Sequence, residues 1–448
     1  MSDSTTPTFP SRRRFMGVAA GALAAGSLSQ FAFADTNQSI TEVAPASGGD
    51  KTAIRPLRIH VPESQLVDLR RRIKATRWPD RETVDDDTQG VPLAMMQDLA
   101  RHWSTDYDWR KCEAKLNALP NFVTEIDGLD IHFIHVRSKH ENAMPLIVTH
   151  GWPGSVIEQL KIIDPLANPT AHGASASDAF HLVIPSLPGY GFSARPTTTG
   201  WGPERTARAW VVLMKRLGYE KFASQGGDLG AIVSNVMAKQ APPELLGIHV
   251  NLPGTIPPEI LKALADNSPP PANLTDDERH AYEQLRGLSK RRAYAQEQGT
   301  RPQTLYSLAD SPVALASWLM DHPDGNGQPA AAVTSAVTGK GSFAGDLTRD
   351  DVLDDITLYW LTNTGVSAAR FYWEFGFNPY AAADVSVPAA VSAFRGENYQ
   401  APRSWSERAY RHLIYYNRPE KGGHFAAWEQ PQIFAEEVRA GLRPLRNT

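Results

Sequence analysis

Gly226-Gly227-Asp228-Leu229-Gly230 centres an acidic side chain in a glycine-flanked turn. A short apolar stretch, Phe222 to Ser224, precedes it and a helical pattern follows. That is the Gly-x-nucleophile-x-Gly spacing of a sharp strand-to-helix elbow. The first turn of a helix favours an anion. A carboxylate there is ionised at neutral pH and can attack an sp3 carbon directly, giving an ester that water must then cleave. Serine would need a base before it could act. Five residues alone fit equally well a turn whose aspartate caps a helix or a phosphate-binding glycine cluster, so the partners decide.

Three partners are in place. Gly422-Gly423-His424-Phe425 sets an imidazole on a glycine-flanked loop near the C-terminus. Thirteen histidines are present, and His424 is preferred because loop, chain order and position agree. Glu397, in Ala393-Phe394-Arg395-Gly396-Glu397, would orient that ring and stabilise its cation; Asp384 competes by position. The order nucleophile, acid, histidine is that of the α/β-hydrolases. His150-Gly151-Trp152-Pro153-Gly154-Ser155 follows a buried strand and turns the backbone sharply. Its Trp152 N–H and the N–H of Leu229 can form an oxyanion hole. His150 itself reads as structural.

These groups need a scaffold. Short apolar runs at Pro145–Thr149 and Phe180–Pro185, and a strand at Leu245–Val250, fit strands buried in a parallel sheet. Helical patterns separate them at 155–166, 205–217 and 230–238, which argues a doubly wound α/β fold. Phe122–Ile126 and Leu129–Val136 flank Asp127-Gly128, a hairpin signal. Pro56–Val61 predicts a strand, and Leu66, Leu69 and Ile73 mark the apolar face of a following helix. A proline-rich, mainly helical insert begins near residue 255. Strands return at 391–394 and 413–416, and a helix over 430–442 closes the chain. The expected organisation is an N-terminal extension (56–120), a core in two pieces (121–254 and 356–448) and a helical lid between them (255–355).

The first residues read as an address. Arg12-Arg13-Arg14-Phe15 opens a basic segment, Gly17 to Leu28 is apolar, and Ala32-Phe33-Ala34 resembles a cleavage site. The paired arginines point to twin-arginine export of a folded protein, periplasmic or extracellular. The apolar run is too short for a stable anchor, since about 20 apolar residues are needed. Residues 35–55 read as a disordered leader. Removing 1–34 takes away three arginines and one aspartate and leaves a formal charge of −6, against −4 for all 448 residues. A nearly balanced charge gives no reason to hold nucleic acid. One cysteine, Cys112, excludes an intramolecular disulfide and a four-thiolate metal cluster. The chemistry therefore falls to carboxylates, imidazoles, hydroxyls and phenols.

Together these segments resemble the microsomal-type epoxide hydrolases, an α/β-hydrolase family with an N-terminal extension. The resemblance runs from about Pro56 to Leu442. It is carried by Arg77-Trp78-Pro79-Asp80, the His150–Ser155 segment, Ser186-Leu187-Pro188-Gly189-Tyr190-Gly191-Phe192-Ser193, Gly226-Gly227-Asp228 and Gly422–Ala427, with Glu429 and Pro431 after it. It implies Asp228 as nucleophile, His424 as base and Glu397 as third member. It also implies two lid tyrosines, matching Tyr294 and Tyr372, that donate to the epoxide oxygen. No cofactor or metal is implied; the partners are an apolar epoxide and water, with a homo-oligomer left open and a detoxifying role expected. Two positions depart from the pattern: Leu229 stands where tryptophan is usual, and Arg395 where the acid motif has proline. A haloalkane dehalogenase would share Asp228 and His424 but needs halide donors that the Leu229 side chain cannot supply. A non-catalytic ligand-binding hydrolase fold is the other alternative.

Overall fold

A computed structural model describes residues 39–45, 49–375 and 380–447. The export signal expected at 1–34 lies outside the described residues. Among the described residues, ten strands form one sheet in the order β1-β2-β3-β4-β6-β5-β7-β8-β9-β10. They are β1 Thr41–Val43, β2 Arg55–Ile59, β3 Asn121–Ile126, β4 Leu129–Val136, β5 Met144–Thr149, β6 Phe180–Pro185, β7 Phe222–Gly226, β8 Leu245–Val250, β9 Ala389–Ser392 and β10 Leu413–Asn417. The pairs from β1 through β4 to β6 are antiparallel, and all those from β6 to β10 are parallel. The parallel strands β5 to β8 are almost continuously buried, which is why they lack polar alternation. Asp127 and Gly128 turn the β3–β4 hairpin at φ 52° and 80°.

Two boundaries differ from expectation. Residues 41–43, expected in a disordered leader, form β1, which adds antiparallel to the edge of β2. The helical lid does not end at 355. Helices run from Pro258–Ala265 through Arg349–Thr362 to Gly365–Phe375, and the sheet resumes only at β9. In the helix Arg349–Thr362 every residue from Asp351 to Tyr359 is buried. A helix covered all round shows no amphipathic stripe, so periodicity could not place it. The segment at 155–166, expected as one helix, is a 3-10 turn at Val156–Ile162 followed by a short α-helix at Ile163–Ala167.

That buried helix ties the N-terminal extension to the core. The Trp103 Nε1–H donates to Thr357 Oγ1 at 2.9 Å, and the Tyr107 hydroxyl donates to Asp354 Oδ1 at 2.8 Å. On another face of the same helix, Ser155 Oγ donates to Asp355 Oδ1 at 2.5 Å, and the Tyr359 hydroxyl donates to the Gly154 carbonyl at 2.9 Å. The extension thus braces the loop that carries Trp152. Trp103→Ala would empty a fully enclosed site and orphan Thr357. We expect a loss of about 3–5 kcal/mol, read as a lowered urea midpoint with an unchanged slope.

Candidate active site

The register of the central strands places the first half of the site. β5 and β7 pair with Thr149 opposite Gly226, so their C-terminal loops leave the sheet side by side. A Cβ on Gly230 would lie 1.9 Å from the Thr149 carbonyl oxygen, and one on Gly226 would lie 2.1 Å from the Gly230 carbonyl oxygen. Only glycine permits these approaches. Between them Asp228 takes φ 47°, a left-handed conformation that costs a non-glycine residue roughly 1–3 kcal/mol. It opens the helix Asp228–Gln240. The Trp152 N–H donates to Asp228 Oδ1 at 2.9 Å, and the Leu229 N–H also favours the Asp228 anion. His150 is neutral and structural: its Nε2 accepts the Leu187 N–H at 3.1 Å, and burial lowers its pKa to about 4.

An isolated parallel bridge, Gly396 with Gly423, places the second half. The next residue on each side is Glu397 and His424. His424 Nδ1 bonds Glu397 Oε1 at 2.6 Å, and His424 Nε2 lies 3.5 Å from Asp228 Oδ2. Burial alone would lower the His424 pKa. The Glu397 charge and hydrogen bond, with Asp228 and Glu158, outweigh it and raise the pKa to about 9. Burial pushes Asp228 upward, opposed by the His424 cation and the two backbone N–H groups. Asp384, the competitor for the acid, faces solvent and pairs with Arg411. Arg395, in place of the usual proline, points outward to Glu420.

The lid supplies the roof. Tyr294 stacks on Trp152 (ring centroids 4.8 Å, planes 18° apart), and Tyr372 meets Trp152 edge-on at 5.9 Å. Both phenols are buried, and burial holds them well above the ordinary tyrosine pKa, hence neutral. The Ser186–Ser193 segment positions the helix of Tyr372: Gly189 O accepts from Ser367 Oγ at 2.6 Å, and the Tyr190 hydroxyl donates to Ala368 O at 3.1 Å.

Sequence reasoning missed two residues. His322 is buried, stacks on His424 at 4.6 Å, and neither of its ring nitrogens has a hydrogen-bond partner. Its turn is held by Asp324 Oδ1, which accepts the Asn326 and Gly327 N–H groups at 2.7 and 2.8 Å. Burial and the neighbouring His424 keep it neutral. Asp228, His322 and His424 offer ligand atoms within 4.8 Å of one another, so these three are where an ion could sit. Glu158, also missed, lies close behind Asp228. The local sequence around each, Ser155 to Ile163 and Trp318 to Gly325, carries no motif that marks it.

The site's chemistry has parallels in known proteins. The sequence profile described as "Epoxide hydrolase N terminus" matches residues 54–159, and that of the alpha/beta hydrolase fold matches 144–309. A Stigmatella aurantiaca protein named "Putative epoxide hydrolase" is 48% identical over 399 residues, covering 88% of this chain and 86% of its own. Epoxide hydrolase 1 of Sus scrofa is 32% identical, covering 88% of this chain and 89% of its own. The chain belongs to the microsomal-type epoxide hydrolase family. The crystal structure of juvenile hormone epoxide hydrolase from the silkworm Bombyx mori overlays this epoxide hydrolase with a TM-score of 0.77 at 28% identity, covering 90% of this chain and 96% of that one.

The charge arrangement makes a measurable demand of this epoxide hydrolase. Asp228 is one of the anions that hold the His424 pKa near 9. Removing that anion removes a reason for the ring to keep its proton. In Asp228→Asn the His424 midpoint, followed by NMR of the ring protons, should therefore fall below the wild-type value. A midpoint that stays or rises would contradict the assigned pairing.

Proposed function

We propose that this epoxide hydrolase opens an apolar epoxide to a vicinal diol through an ester on Asp228. The observation that carries the reading is the line Glu397–His424–Asp228 beneath two neutral lid phenols, with the Trp152 N–H already on Asp228 Oδ1. Oδ1 is held by backbone, which leaves Oδ2 to attack a ring carbon. The epoxide oxygen becomes an alkoxide, a poor leaving group unless it receives a hydrogen bond or proton. Tyr294 and Tyr372 are uncharged donors suited to that task. Once Asp228 is esterified its negative charge is gone. His424 then loses part of what raised its pKa and gives up its proton, making good the one the alkoxide receives through the phenols, so that the neutral ring can act as a base toward water. The oxyanion formed in that second step meets the N–H groups of Trp152 and Leu229. The aromatic wall of Trp152, Tyr294 and Tyr372 favours an apolar substrate. Leu229 gives no side-chain donor for a halide, which disfavours dehalogenation.

We further propose that residues 1–34 direct twin-arginine export, so that the enzyme works outside the cytoplasm. The support is the Arg12-Arg13-Arg14-Phe15 segment and the apolar run behind it. Replacing Arg12, Arg13 and Arg14 by lysine should leave the chain in the cytoplasmic fraction with its leader uncleaved; export of that variant would overturn the proposal.

The reaction is tested by repeated turnover in oxygen-18 water. Label should enter the Asp228 carboxylate and the diol should form, with no halide released from haloalkanes. Diol without label in Asp228 would exclude the ester. Asp228→Asn should lose turnover. Tyr294→Phe should slow ester formation by about 10²-fold or more while leaving ester hydrolysis nearly unchanged, followed by stopped-flow fluorescence of Trp152.

A further inference from the structure

Ester hydrolysis needs a water at the Asp228 carbonyl carbon. In the ester, the substrate's carbon skeleton occupies the space between Asp228 and the tyrosines. The water must reach the carbonyl from another side. A small cavity of about 20 Å3, which accommodates about one water, lies against Asp228 and His424. Tyr294, Tyr372 and His322 do not border it; Trp152 is the one member of the aromatic wall that does, so the cavity lies on the side of the carboxylate away from the two phenols.

Part of its remaining wall is polar, set among aromatic side chains such as Phe425 and Trp428. Glu158, Gln159 and Gln225 all line it. Gln159 Oε1 and Gln225 Oε1 are buried acceptors without a hydrogen-bond partner. An unpaired buried polar atom costs roughly 1–3 kcal/mol, so two at one small cavity call for a ligand that donates hydrogen bonds. Gln159 Nε2 donates to Glu158 Oε1 at 2.6 Å, which fixes one end of the carboxyl. Gly154 makes room for the other end: a Cβ there would lie 1.9 Å from Glu158 Oε2. Gln225 Nε2 donates to Asn251 Oδ1 at 3.2 Å, turning its own carbonyl oxygen free. Burial, helped by the nearby Asp355, raises Glu158 to about 8, so near neutral pH it is an uncharged acid that both donates and accepts.

We propose that this cavity seats the hydrolytic water and that Glu158, Gln159 and Gln225 are its positioning residues. The proposal rests on the aspartyl-ester reading. The water oxygen bonds to Asp228 Cγ and gives one proton to His424 Nε2. Its other hydrogen points to a glutamine carbonyl oxygen. The oxyanion collapses, the Asp228 Cγ–Oδ2 bond breaks, and Oδ2 leaves with the substrate carbon, taking the proton from His424. The water's second hydrogen passes from the new carboxyl to His424 Nε2, so Asp228 is regenerated as a carboxylate carrying the oxygen of water and facing the His424 cation.

The test separates water positioning from substrate binding and from folding. Glu158→Leu keeps the volume and removes the hydrogen bonds. A misplaced water should lower kcat by about 10²-fold. KM should fall in proportion, leaving kcat/KM and the stopped-flow rate of ester formation near wild type, while the ester accumulates on the Asp228 peptide after acid quench. Glu158→Gln should recover most of the lost kcat. Gln159→Met, nearly isosteric, should show the same split and serves if Glu158→Leu does not fold. An unchanged kcat, or a kcat/KM that falls together with kcat while no ester builds up, would overturn the proposal. If His424→Gln also yields no ester, the aspartyl-ester reading fails and takes this proposal with it. If His424→Gln traps the ester and the Glu158 variant does not, the water seat alone is wrong.

Discussion

A carboxylate kept away from bulk water is the constraint around which this molecule is arranged. Burying a charge is costly unless it is paired and hydrogen-bonded. Asp228 meets that condition from three directions: the Trp152 N–H on Oδ1, the start of its own helix, and the His424 ring facing Oδ2. Each support belongs to a different part of the chain. The two strand ends must come within glycine contact for the first, and the Gly396–Gly423 bridge must close for the last. Loss of any one leaves this largely buried anion with less compensation. The site is therefore as much a folding requirement as a chemical one.

The N-terminal extension and lid share this dependence. The helix Arg349–Thr362 is gripped by Trp103 and Tyr107 on one side and by Ser155 and the Gly154 carbonyl on the other. The loop that offers the Trp152 N–H is thus held in place through contacts some two hundred residues apart in sequence. The Ser186–Ser193 segment does the corresponding work for Tyr372. Its glycine carbonyl and tyrosine hydroxyl both fasten to one turn of the lid helix.

Much of this was legible in the sequence because it is local. The elbow glycines announce a close approach, Asp127-Gly128 announces a hairpin, and the apolar runs announce buried parallel strands. Glu397 was legible through chain order despite the arginine at 395, since that side chain turns outward to Glu420. What escaped was set by contacts between distant segments. The end of the lid was not legible because the helix Arg349–Thr362 is buried all round from Asp351 to Tyr359 and carries no stripe. Strand β1 is visible only as a partner of β2. His322 and Glu158 look like an ordinary turn histidine and a helix-start acid until the fold brings one against His424 and the other behind Asp228.

The division of the cleft has a stereochemical corollary on the proposed reaction. Asp228 approaches from the sheet and the phenols receive the oxygen from the lid, so bond making and bond breaking occur on opposite faces of one carbon. That carbon is inverted. Water later attacks the carboxyl carbon of Asp228 and never touches the substrate's stereocentres, and the neighbouring carbon keeps its configuration. A mirror-symmetric epoxide fused to a ring would leave as the trans diol, and the handedness of that diol would record which of its two carbons the aromatic wall had turned toward the carboxylate.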